Sequence, residues 1–186
     1  MPGPAVRFII PTEELTLTDM KGFKASAIEA GIARAIAKTL IKNRDEAVVR
    51  EAQPAADFGC ATDAWLTTPL AVVNTQYSVF PAAAGNPLLG PTRIAVFYKV
   101  GVNTAPNPVT LLSFREGAGA GTTYAVLNTE VLDTKMETDG YFTEPVVYDN
   151  QRVLNIVVTA RVATLVAARV ILGCFIIEPR GGVVSI

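Results

Sequence analysis

The sequence predicts a mainly β protein: an eight-stranded antiparallel sandwich of jelly-roll type, preceded by an N-terminal extended arm and one amphipathic α-helix. Three observations predict it. From Leu70 to Glu178 the chain reads as strand after strand, cut by Pro, Gly and Asn. Ahead of these strands, apolar residues recur at helical spacing between Met20 and Leu40. Ahead of the helix, the first 17 residues carry three prolines among alternating apolar residues and read as an extended arm.

The elements follow in order. Thr18 or Asp19 is placed to cap a helix over 19–43. Met20, Phe23, Ile28, Ile32, Ile36 and Leu40 form its apolar stripe, and the alanines between them favour helix and close packing. Gly22 and Gly31 weaken it. Residues 47–51 read as a short strand closed by Pro54. The strand candidates then run 70–73, 76–80, 93–102, 109–116, 122–132, 141–148, 152–160 and 168–178, separated by turn residues. Eight strands at this spacing suit a jelly roll, with an immunoglobulin-like sandwich as the alternative. The division is an arm and helix over 1–53 and a β-sandwich with a C-terminal tail over 54–186. Within 93–102 the even positions Ile94, Val96, Tyr98, Val100 and Val102 form one apolar face, and Arg93, Ala95, Phe97 and Lys99 a half-wet one. Within 168–178 both faces are apolar, so this strand is either covered on both sides or meets a partner, and the helix is a candidate cover.

Composition narrows function. Histidine is absent, which removes the commonest general base and metal ligand. Charged residues are 18%, below the ~25% usual for soluble domains, and hydrophobic residues reach 50%. That deficit reads as apolar surface reserved for copies of the same chain. The net charge of −1 gives no global pull toward nucleic acid or membrane. Cys60 and Cys174 lack ligand spacing and read as buried free thiols, a single disulfide being the alternative. No signal peptide is expected, because Pro11 and Glu13 interrupt any apolar run near the start. The apolar run 153–177 contains Asn155, Arg161 and Arg169, which speak against a membrane span.

Candidate chemistry is sparse. The run from Gly117 to Gly121 is followed by Thr122 and a strand, whereas a phosphate loop needs a Lys and a helix. No cofactor is expected. Asp133, Glu137 and Asp139 are the best candidates for oxygen ligands of a cation, with Lys135 among them. The basic helix residues Lys24, Arg34, Lys38, Lys42 and Arg44 read as a solvated face rather than a nucleic-acid site, having no interleaved aromatics.

The run Tyr141-Phe142-Thr143-Glu144-Pro145-Val146-Val147, followed by Val153-Leu154-Asn155-Ile156-Val157-Val158, behind an arm and a helix, resembles the small jelly-roll structural proteins of virions, capsid and decoration subunits among them. The resemblance is one of arrangement and covers about half the chain, from Arg93 to Arg180. It implies a non-enzymatic, self-assembling subunit located in the virion, whose partners are copies of itself and other virion proteins. Phe23, Ile28, Ile32 and Ile36 of the helix, with Ile171, Phe175 and Ile177 of the last strand, are the candidate subunit interface. The tail residues Val183, Val184 and Ile186 are further candidates to dock on a neighbour. The alternative function is a carbohydrate- or cation-binding sandwich module with Trp65 or tyrosines as stacking platforms.

Overall fold

The structure is a computed structural model that describes residues 5–66, 68–80, 85–104, 106–119, 121–133, 139–165 and 167–181. Its elements are β1 (Ala5–Arg7), β2 (Ile9–Pro11), α1 (Leu17–Ala37), β3 (Ala47–Glu51), α2 (Pro54–Phe58), β4 (Gln76–Ser78), β5 (Ile94–Val102), β6 (Val109–Glu116), β7 (Thr122–Asn128), β8 (Asp139–Tyr148), β9 (Leu154–Ala160) and β10 (Val170–Pro179). They build two five-stranded sheets, ordered β1-β7-β6-β9-β4 and β2-β8-β5-β10-β3. Every described pairing is antiparallel except the parallel pair β1–β7. The sheets pack face to face over one apolar core in which Phe97 of β5 meets Phe114 of β6, ring centroids 5.4 Å apart.

Two boundaries differ from the sequence reading. Residues 70–73 form no strand; Leu70 is buried in the loop that leads to β4. Strand 122–132 stops at Asn128, and a short 3₁₀ turn follows over Glu130–Asp133. The eighth sandwich strand is instead β3, which pairs with β10. The arm is not free either. β1 extends the edge at β7 and β2 extends the edge at β8, so seven residues touch both sheets. Residues 1–53 thus carry the helix and three edge strands.

The helix starts two residues earlier than expected, at Leu17. Thr16 accepts a hydrogen bond from the Asp19 N–H at 3.2 Å, and Asp19 accepts one from the Thr16 N–H at 2.9 Å, a capping box. It ends at Ala37 rather than Asn43 because Thr39 turns left-handed, at φ 57°. The Leu40 N–H then bonds back to the Ala35 carbonyl and the Thr39 N–H to Ile36, closing a Schellman cap without glycine.

α1 lies on the outer face of the second sheet. Ala27, Gly31, Ile32 and Ala35 pack on Ile94, Val96, Phe175 and Ile177, with Phe23 stacked on Tyr141 at 5.8 Å. The small residues set the approach: a Cβ on Gly31 would lie 2.1 Å from Ile177 Cδ1. Arg34 and Lys38 both reach Asp149, at 2.5 and 3.0 Å, fastening the helix to the β8–β9 turn.

The half-wet face expected on β5 does not exist. A bulge at Tyr98 and Lys99 switches the alternation, so Ala95 and Phe97, then Val100 and Val102, all face the other sheet. Ile94, Val96 and Tyr98 face the helix. β10 is central between β5 and β3 and covered on both faces along Cys174–Ile177.

Candidate assembly surface

The expected interface residues separate into two groups. Ile32, Phe175 and Ile177 are buried inside the chain, and Phe23 and Ile28 pack half-buried beside them. Their apolar spacing reports the helix–sheet contact within one chain. Ile36 and Ile171 remain exposed. The tail candidates Val183, Val184 and Ile186 lie outside the described residues.

The basic helix face is largely paired. Arg34 and Lys38 hold Asp149, and Arg44 holds Glu29. The Arg34 hydrogen bond comes first among the interactions that keep the Asp149 carboxyl below its usual value. Of the cation candidates, Asp139 pairs with Lys99, whose ammonium lies 5.2 Å over the Tyr141 ring. Glu137 lies outside the described residues, as does the side chain of Asp133. Among the described residues no three of Cys, Asp or Glu gather as metal ligands. Cys60 and Cys174 are both free and buried, and burial pushes both thiols up, away from the reactive thiolate. Trp65 is buried among Phe58, Phe80 and Phe97 at 5.6–6.2 Å, and the little of it that stays exposed lines an open depression described below.

One cluster has no sequence signal. Arg50 grips Asp57 with two bonds of 2.6 and 2.7 Å and reaches Glu178 at 3.0 Å. Arg93 contacts the same two carboxylates at 3.2 and 3.3 Å. The Asp57 side chain is fully buried and that of Glu178 nearly so. Burial works to raise the Asp57 pKa; the Arg50 bonds, the Gln53 N–H and the two guanidinium charges outweigh it and hold the carboxyl below its usual value. Two cations and two anions close a neutral ring that ties β3, α2, β10 and the turn leading into β5 together. Its members are consumed by one another, which makes it a structural clamp.

The distinctive surface is the end of the sandwich where loops 66–75, 103–108 and 161–169 meet. Backbone bonds sew them together. The Thr164 N–H donates to the Leu70 carbonyl at 3.0 Å, and the Leu70 N–H donates to Thr164 Oγ1 at 2.9 Å. Ala168 N–H reaches Thr68 and Asn74 N–H reaches Ala160, at 3.1 and 2.8 Å. Asn103 N–H reaches Arg169 at 2.8 Å, and Arg161 N–H reaches Pro108 at 2.7 Å. Among the described residues of these loops Leu165 is fully exposed, with Val72 at 57%, Val162 at 44% and Val73 at 43%. No acidic residue occurs between Asn150 and Ile177, so the loop that carries Leu165 has arginines as its only charges.

Beside this end, on the part of the second sheet that α1 leaves bare, lies an open depression of about 550 Å³. Gly101, Leu172 and Gly173 line it together with Ile171, and Glu51, Asp63 and Asp139 bring carboxylates to it. The missing side chain at position 173 is enforced: a Cβ there would lie 2.8 Å from Lys99 Cβ and 2.9 Å from the Tyr98 ring.

No protein-family model and no curated protein matches the chain. Among the described residues no helix is long and apolar enough to cross a membrane.

Proposed function

We propose that this chain is a non-enzymatic structural subunit that assembles with copies of itself, a capsid or capsid-decoration protein of a virion, built on a jelly-roll sandwich. The observation that carries the reading is the hydrogen-bonded loop end that presents Leu165, Val72, Val73 and Val162 to water. Exposed apolar side chains on mobile loops cost binding entropy when they dock; fixed loops have already lost it. The low charge content of 18% fits the same role.

The pairing order supports the jelly-roll assignment. Among β3 to β10 the first strand pairs with the last, β4 with β9, β5 with β8 and β6 with β7. This is one long antiparallel hairpin rolled up so that its pairs alternate between two sheets. The arm, the helix and the sandwich behind them fit the virion resemblance.

The test is the mass of the purified protein by light scattering on a sizing column, with electron microscopy of the same fractions. Regular particles, rings or filaments many times the 19.7 kDa protomer are expected. A protein that stays monomeric at all concentrations, and that binds no virion shell, overturns the reading and returns weight to the carbohydrate- or cation-binding module.

A further inference from the structure

We infer that the depression on the second sheet binds an N-acetylated amino sugar, whose acetamido group takes up the backbone N–H and C=O that β10 leaves open at Leu172. The site stands apart from the assembly reading, and its test reads binding whatever the mass of the protein. Three observations lead to it.

The first is a missing rung. Along an antiparallel strand, alternate residues turn their N–H and C=O to the same edge. The Arg169 carbonyl accepts from the Asn103 N–H, so residues 169, 171 and 173 face β5. Residues 170, 172 and 174 face the edge on which β3 pairs. There the Val170 N–H donates to the Leu66 carbonyl at 3.0 Å, and the Cys174 carbonyl accepts from the Ala52 N–H at 2.9 Å. Leu172 lies between them. β3 has ended at Glu51, and Pro54 has no N–H to offer. Among the described residues no backbone or side-chain group bonds Leu172 on that edge. Leu172 is 3% exposed, and it lines the depression although its side chain belongs to the core between the sheets. A buried donor and acceptor left open side by side fit one amide, which supplies both missing bonds.

The second is the Tyr98 hydroxyl. Tyr98 is 5% exposed, and its ring stacks on Phe175 at 4.6 Å. Its Cζ, which carries the hydroxyl, packs on Gly173: a Cβ there would lie 2.9 Å from it. The hydroxyl therefore sits over the strand next to Leu172, in the depression that Tyr98 lines. Among the described residues it has no hydrogen-bond partner, and it is not one of the fully enclosed polar atoms. Burial, and then the charge of Glu51, push the phenol up, so it stays an O–H donor.

The third is the shape and polarity of the space. Val170 and Cys174 are about 13 Å apart along the strand, and Leu66 and Ala52 already occupy the two flanking rungs. An extended peptide would run into one of them; a group with a single amide does not. Around the rung, the depression of about 550 Å³ offers the Glu51 and Asp63 carboxylates as acceptors and Pro54, Ala64 and Ile171 as apolar wall. Hydroxyls that donate to carboxylates beside an apolar ring face are the chemistry of a sugar.

Trp65 is the one tryptophan of the chain and lines the depression, so its fluorescence reports occupancy. Full-length protein is titrated with methyl N-acetylglucosaminide, methyl glucoside and N-acetylglycinamide, and hydrogen exchange at Leu172 is read by fragmentation mass spectrometry. The acetamido sugar should give a saturable fluorescence change and slow exchange at Leu172. Methyl glucoside, which lacks the amide, should bind about tenfold more weakly or not at all. Tyr98→Phe removes the hydroxyl and keeps the ring; it should hold the wild-type melting temperature and weaken the sugar by about tenfold. No saturable change with the acetamido sugar, equal affinity for methyl glucoside, or unaltered exchange at Leu172 overturns the site. N-acetylglycinamide binding as tightly as the acetamido sugar overturns the sugar in favour of a peptide amide. None of these outcomes bears on whether the chain assembles.

Discussion

Replacing Gly31 by Ala tests whether α1 lies where the structure puts it. On helix propensity alone the change is favourable, by about 1 kcal/mol. The packing opposes it. The added Cβ would lie 2.1 Å from Ile177 Cδ1 and 2.6 Å from Val96 Cγ2. Both partners are fully buried. Overpacking of this kind costs about 1–3 kcal/mol, and approaches this close belong at the upper end. The net expectation is a loss of about 2 kcal/mol, which in a chain of this size lowers the melting temperature by roughly 4–8 °C. Gly22, in the same helix, has nothing within 4 Å of its added Cβ. Gly22→Ala should therefore raise stability by about 0.5–1 kcal/mol. Ile177→Val removes the closest atom, so in the Gly31→Ala background it should cost less than in the wild type. Circular dichroism melts and urea titrations of the wild type, the three single variants and the Gly31→Ala/Ile177→Val double variant read all of this. If Gly31→Ala stabilises as Gly22→Ala does, the helix does not rest on β5 and β10, and the reasoning fails.

Other consequences follow from the same geometry. Asp57→Asn leaves two guanidinium groups facing Glu178 alone; because both arginines keep about a third of their exposure, the loss should sit near 3 kcal/mol by urea unfolding, and a loss below about 1 kcal/mol would contradict the clamp. Asp57 and Asp149 both have lowered pKa values in the folded chain, so their stabilisation is present above the unfolded value of about 4 and is lost as pH falls through the folded values. Melts between pH 6 and pH 3 should show a falling midpoint, less steep in Asp149→Asn; a flat profile would refute the assignment. Gly140→Ala places a Cβ 2.6 Å from Ile9 Cγ2 and 2.7 Å from the Ile10 carbonyl oxygen, so β2 should lift and trypsin should cut faster after Arg7. Unchanged cleavage there would mean that the arm is not held by β8.

How legible this was in the sequence depends on how local each feature is. The four-residue recurrence of apolar residues marked α1, because burial on one face leaves that period. Its end was illegible, since the residue that turns left-handed is a threonine, and threonine rarely adopts that conformation. The strands from 93 onward were legible through alternation and turn residues. The inner face of β5 was misread because one bulge at Tyr98 and Lys99 exchanges the two faces, and nothing in the residues announces it. Apolar periodicity also cannot distinguish a contact within the chain from one between chains. That is why Ile32, Phe175 and Ile177 read as interface when they are core. The clamp was invisible for a different reason: Arg50, Asp57, Arg93 and Glu178 come from three separate parts of the chain, and only the folded sheet brings them together. Leu165 and the valines around it were legible as apolar, but their exposure follows from loop bonds that the sequence does not display.

The apolar loop end that carries Leu165 is proposed to join copies of this chain. Its most direct measurement is light scattering with electron microscopy on wild-type protein and Leu165→Asp side by side. The wild type should elute as regular particles far above 19.7 kDa and the variant as a folded protomer with an unchanged melting temperature. A monomeric wild type, or particles that survive the aspartate, would contradict it.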